Sequence, residues 1–160
     1  MKMNNQMKEK LFNLKSDSKN LDVFLTISLF NPEFVEWDGC VFVNLLGKLK
    51  ISEEKFMKNE MMNDRTELET FKNEILLIDV FPELEDDLDF TLEIGVKLIE
   101  VWGRTLKCLF PEKNFCLFLS HSDFGSTVNF YTLRENDVPW IDMSDLEKYA
   151  DEALLVELLI

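Results

Sequence analysis

LDFTLEIGVKLIEVWGRTLKCLF, residues 88–110, admits two readings, and the fold follows from which of them holds. Leu88, Phe90, Leu92, Ile94, Val96 and Leu98 alternate as they would on a half-buried strand. Leu88, Leu92, Val96, Ile99, Trp102, Leu106 and Leu109 also trace one face of a helix. Length decides, because the pattern persists to Leu109 and stops only at Pro111, well past an ordinary strand. Glu85, Asp86 and Asp87 precede it, where a helix presents its positive end. A helix over residues 90–109 is therefore predicted. Gly95 and Gly103 fall on it eight residues apart and permit close packing.

Downstream, Phe115–Leu119 and Thr127–Leu133 read as two strands of a hairpin around a His121–Ser126 turn that contains Asp123 and Gly125. Val128, Phe130 and Thr132 share one side; Asn129, Tyr131 and Leu133 share the other. Asp137-Val138-Pro139-Trp140 reads as a loop. Ser144-x-x-Glu147 has the form of a capping box and predicts a closing helix through Leu146, Tyr149, Ala153, Val156 and Leu159.

Upstream, Thr66-x-x-Glu69 predicts a helix carrying Leu68, Phe71, Ile75 and Ile78, stopped at Phe81-Pro82, and Ser52 caps another from Glu53 to about Met62. Val23–Phe30 (VFLTISLF) is short, apolar and rich in β-formers, and Asn31-Pro32 ends it, so it reads as a strand. Phe34–Leu46 stays open between a partner strand after the Asp38-Gly39 turn and a helix entered at Pro32. Residues 3–15 predict a short amphipathic helix through Met3, Met7, Leu11 and Leu14, within a peripheral basic segment, residues 1–20. Together these elements predict a single α+β domain: an antiparallel sheet containing 23–30, 115–119 and 127–133, covered by helices.

Charge narrows the function. The 160 residues hold 31 acids and 17 bases, a net −14, on a composition with 46% apolar residues and 14 Phe. Such a field repels nucleic acid and anionic membrane and favours encounter with basic proteins. Residues 64–100 carry twelve acids against Arg65, Lys72 and Lys97, whereas residues 1–20 carry five Lys against Glu9 and Asp17. No run of about eighteen apolar residues is present to span a bilayer, and Met1–Lys10 lacks an apolar stretch of signal-peptide length. Cys40, Cys108 and Cys116 lie among apolar neighbours without C-x-x-C spacing, which reads as buried, reduced thiols of a cytoplasmic protein.

Catalytic signatures are absent. No Gly-x-Ser-x-Gly elbow or Gly-rich phosphate loop occurs, and no cofactor is implied. Glu85-Asp86-Asp87-x-Asp89 is acidic but lacks the glycine of a calcium loop, and Cys and His are too scattered for zinc, so no metal is implied. The single histidine, His121, reads as an exposed turn residue; the alternative is a base oriented by Asp123. Trp102 reads as core. Trp140, between Asp137 and Asp142, reads either as a plug at the open end of the sheet or as an apolar anchor for a partner.

A resemblance adds to this. A helix ending in Phe110-Pro111, then Phe115-Cys-Leu-Phe-Leu-Ser120, then Val128-Asn-Phe130-Tyr131, Arg134 and Trp140, closing with Leu146, Tyr149 and Ala153, resembles immunity proteins of bacterial polymorphic toxin systems. The resemblance covers about a third of the chain. It implies a small, acidic, cytoplasmic protein that blocks a cognate toxin, often a basic nuclease, and it implies no shared functional residues. The leading expectation is thus a non-enzymatic binding protein that neutralises a basic protein partner. Asp86, Asp87, Asp89, Asp137, Trp140 and Asp142 are its expected contact residues. A small enzyme using His121 with Asp123, and a generic structural or adaptor domain, are the alternatives.

Overall fold

The Leu88–Leu109 stretch is one continuous helix in the computed structural model, which describes residues 1–14, 20–52, 54–60, 62–149 and 151–160. Asp87 caps it by accepting from the Phe90 N–H at 3.2 Å. Its inward side carries Leu92, Leu98, Ile99, Trp102 and Leu106, all fully buried.

In chain order the elements are β1 (Lys2–Met3), α1 (Asn5–Asn13), α2 (Val23–Phe30), β2 (Glu33–Trp37), β3 (Cys40–Asn44), α3 (Arg65–Asn73), β4 (Ile75–Leu76), α4 (Leu77–Val80), α5 (Leu88–Leu109), β5 (Phe115–Ser122), β6 (Gly125–Thr132) and β7 (Ala153–Leu159). Five strands form one antiparallel sheet in the order β1-β7-β5-β6-β4, and β2-β3 form a separate hairpin. The domain is α+β, an antiparallel sheet covered by helices. One face of the sheet, with Leu117, Leu119, Val128, Phe130 and Leu155, packs under α5 and its neighbours. The opposite face, with Cys116, Phe118, Tyr131, Leu154 and Val156, is covered by Ile141 and Leu146.

Two predicted elements change identity. Val23–Phe30 is a helix, α2, not a strand. Every position of VFLTISLF except Thr26 and Ser28 is apolar, so periodicity does not discriminate, and local capping and burial decide. Asp22 accepts from the Leu25 N–H at 2.8 Å, Thr26 and Ser28 bond back to the carbonyls of Asp22 and Phe24, and the Leu29 carbonyl accepts from Trp102 Nε1 at 2.9 Å. Conversely, the predicted closing helix is the strand β7, preceded by a single 3₁₀ turn at Leu146–Lys148 whose cap is Asp145. Ala153–Val156 is buried on both faces, which produces an apolar run that also fits a helical stripe.

The open segment resolves as a hairpin. Asp38 and Gly39, with φ of 46° and 80°, make the tight turn between β2 and β3. The β5–β6 hairpin forms as expected but is longer, so His121 and Ser126 are paired strand residues and the turn is Asp123-Phe124. No helix forms among the described residues of 52–62; Glu53 and Met61 lie outside them. The helix predicted from Thr66 to Ile78 is shorter, begins after an Asp64 cap and ends at Asn73. Its inner side is polar: Thr66, Glu69, Thr70 and Asn73 are buried, while Phe71 is 65% exposed.

Candidate functional site

The segment after β6 crosses the sheet face opposite α5, and two tyrosines hold its backbone. Tyr131 Oη accepts from the Ile141 N–H at 3.3 Å, and Tyr149 Oη accepts from the Asp142 N–H at 3.0 Å. Burial pushes the Tyr131 hydroxyl up, so it stays protonated. Asp142 is latched in turn. It accepts from Lys148 Nζ at 2.6 Å and from the hydroxyl and N–H of Ser144, and these bonds hold its carboxyl well below the usual carboxylate range. Ile141 fills the sheet face, and that leaves Trp140, one residue earlier, 51% exposed on a fixed backbone.

Three grooves meet at Trp140. One, of about 360 Å³, runs to α3 between Met62, Phe71, Glu67 and Glu74. A second, about 480 Å³, follows Leu133, Val138, Met143 and Leu158, and a third, about 300 Å³, borders Phe118, Asp151 and Glu152. Lys148 lines the second and third but not the first. The surroundings are acidic: residues 135–152 hold seven acids against Lys148. An exposed aromatic on a rigid backbone, ringed by polar groups, has the make-up of a protein-binding hot spot.

The six expected contact residues do not form one surface. Asp137 and Asp142 do flank Trp140, but Asp137 is half-buried, accepting from Thr66 Oγ1 at 3.2 Å beside the Arg134 guanidinium at 3.6 Å. Asp86, Asp87 and Asp89 sit at the start of α5, and Asp89 borders α1 near Lys10. The sheet separates this group from the Trp140 segment, since α5 covers one face and Ile141 and Leu146 the other.

Sequence reading missed the α3 wall of the groove. Phe71 reads in the sequence only as one of the apolar residues that the helix carries, and the structure turns it outward. The usable signal was the second stripe, Thr66, Glu69, Thr70 and Asn73, whose spacing is equally helical but polar.

His121 is a buried strand residue, not an exposed turn residue. Its Nδ1 lies 2.8 Å from Ser126 Oγ, which lies 2.9 Å from Thr91 Oγ1 on α5. Burial, reinforced by Lys10, holds its pKa below the usual value, while Asp89 and Asp123 oppose that only by longer-range attraction. Cys40 and Cys116 are buried and their thiols are pushed up to about 12 and about 11, respectively, by desolvation. Cys108 is exposed, contrary to its apolar sequence neighbours. Among the described residues, no group of three or more His, Cys, Asp or Glu is arranged to hold a metal ion, and no helix is long and apolar enough to cross a membrane.

No curated protein and no solved structure matches the chain. The model of the Uncharacterized protein PM0498 family matches residues 2–158, and the chain belongs to that family.

Proposed function

We propose that this family member is a binding protein that docks a basic protein partner through the face centred on Trp140. The observation that carries this reading is the half-exposed Trp140 itself, held by the Tyr131 and Tyr149 hydroxyls at the meeting point of three grooves. A large aromatic costs little conformational entropy on binding when its backbone is already fixed. The net charge of −14 supplies the complementary field that speeds encounter with a basic partner. Within this proposal, the resemblance of residues 110–153 to immunity proteins makes the partner a cognate toxin and the cytoplasm the place of action.

The test is a kinetic one, using the purified chain and a basic protein encoded beside its gene. Trp140→Ala removes the anchor and speeds dissociation, with a loss of about 2 kcal/mol, roughly 30-fold in affinity. Reversing Asp86, Asp87 and Asp89 together leaves dissociation unchanged and slows association. That effect is largest at low salt, because screening beyond about 10 Å sets in near 0.1 M. Salt-independent association, or a Trp140→Ala dissociation rate equal to wild type, rejects the proposal.

A further inference from the structure

We infer that the groove between α3 and Trp140 receives an arginine side chain of the partner. This inference rests on the proposed docking face and names the chemistry one part of it recognises. Glu67 and Phe71 stand at i and i+4 on α3, and Glu74 is the extended residue that ends the helix, so two carboxylates and the Phe71 ring line one groove. Trp140 closes the opposite wall and Met62 lies alongside. The apolar walls suit an aliphatic stem, and the indole face suits a flat, weakly hydrated cation. A carboxylate at the end of such a slot takes a guanidinium through paired N–H donors.

Charge singles out this groove among the three. Lys148, already paired with Asp142, lines both of the others, whereas this groove is lined by two acids and no base. Several nearby acids are already matched: Asp142 pairs with Lys148, Asp38 with Arg65, and Asp137 and Glu69 with Arg134. Glu67 and Glu74 form no ion pair with any described residue. The Glu67 carboxylate is oriented by the Asn63 N–H at 2.6 Å and by Asn63 Nδ2 at 3.1 Å, contacts that also keep it ionised at neutral pH. The volume of about 360 Å³ lies at the small end of sites that enclose a ligand group.

The experiment is an NMR titration of the full chain with the capped tripeptide acetyl-Gly-Arg-Gly-amide, against its lysine and citrulline counterparts, at about 0.1 M salt. The arginine peptide shifts the Trp140 indole N–H saturably and at lower concentration than the lysine peptide, while the citrulline peptide gives no saturation. Glu74→Gln and Glu67→Gln each weaken the arginine peptide about two- to fivefold, the range of an exposed ion pair. The indole signal of buried Trp102 reports that each variant is folded. Equal binding of the lysine or citrulline peptide, or shifts spread over the acidic surface and indifferent to Glu74→Gln, overturns the inference. The two proposals fail separately. Partner binding that depends on Trp140 without a saturable arginine site removes only the groove assignment, and a saturable arginine site with Trp140-independent partner binding removes the docking face.

Discussion

Glu69 and Asn73, one turn apart on α3, together replace the strand ladder that is missing between β3 and β6. The Glu69 carboxylate accepts from the Val41 N–H at 2.6 Å on one side and from the Thr132 N–H at 2.9 Å and hydroxyl at 2.8 Å on the other, and pairs with Arg134 at 2.9 Å. Asn73 accepts from the Val43 N–H at 2.9 Å and donates to the carbonyls of Val41 at 2.9 Å and Phe130 at 3.0 Å. Two unpaired stretches of strand edge, both buried, are thereby satisfied by one helix. The polar inner side of α3 fixes the helix, and its outer side becomes the wall facing Trp140.

Removing this stitch should be costly. Glu69→Ala strands the Arg134 charge and leaves the Val41 and Thr132 N–H groups without partners. A loss of about 3–5 kcal/mol is expected, as for other buried pairs deprived of one member. Glu69→Gln keeps an acceptor in place and loses less. Urea denaturation of both variants measures this, and an unchanged midpoint for Glu69→Ala would contradict the role assigned to the pair.

The two helical glycines of α5 should respond with opposite signs to alanine. A Cβ at Gly95 would come within 2.5 Å of Leu119 Cδ1 in the filled core, whereas one at Gly103 meets Leu159 at 3.5 Å, an ordinary contact. Gly95→Ala should therefore lose about 1–3 kcal/mol by overpacking. Gly103→Ala should gain up to about 1 kcal/mol from helix propensity. Thermal midpoints of the two variants decide it.

Thiol chemistry should distinguish one cysteine from the other two. A thiol reagent at neutral pH is expected to modify Cys108 rapidly, and Cys40 and Cys116 only on unfolding, because burial raises their pKa to about 12 and about 11. Mass spectrometry after brief labelling counts the adducts; native labelling of Cys40 or Cys116 at the Cys108 rate would be the contrary result.

Stability should fall as the pH drops below neutrality through His121. Its folded pKa lies below the unfolded value of about 6.5. The neutral ring therefore contributes its full stability above that pH. That contribution fades as pH falls through the window beneath 6.5, where the unfolded chain takes up the proton first. Denaturation midpoints between pH 7.5 and 5.5 should decline in the wild type and stay flatter in His121→Asn. Parallel curves would remove His121 as the cause.

The legible parts of the fold were those with redundant local signals. Leu88–Leu109 combined a long stripe, an acidic cap and a terminal proline, and the β5–β6 hairpin carried Gly125 at its turn, whereas Phe34–Leu46 stayed open despite Asp38-Gly39. Val23–Phe30 and Ala153–Leu159 were misread for one reason. Nearly uniform apolar runs have no period, so their identity is set by what packs on them: the Trp102 indole at Leu29 for α2, and the β5 backbone for β7. The site was half legible. Trp140 stood out in a polar loop, but its opposing wall required Phe71 to face outward, and that follows from Glu69 and Asn73 bonding to strands 28 to 63 residues away along the chain.

The docking face is tested most directly by photo-cross-linking in the producing cell. A photoreactive phenylalanine analogue is placed at Val138, 76% exposed beside Trp140, or at Phe24, 70% exposed on α2. Position 138 should cross-link to one basic protein, with the adduct lost on adding Trp140→Ala, and position 24 should not. Cross-links confined to position 24, or an adduct at 138 that survives Trp140→Ala, would contradict a Trp140-centred interface.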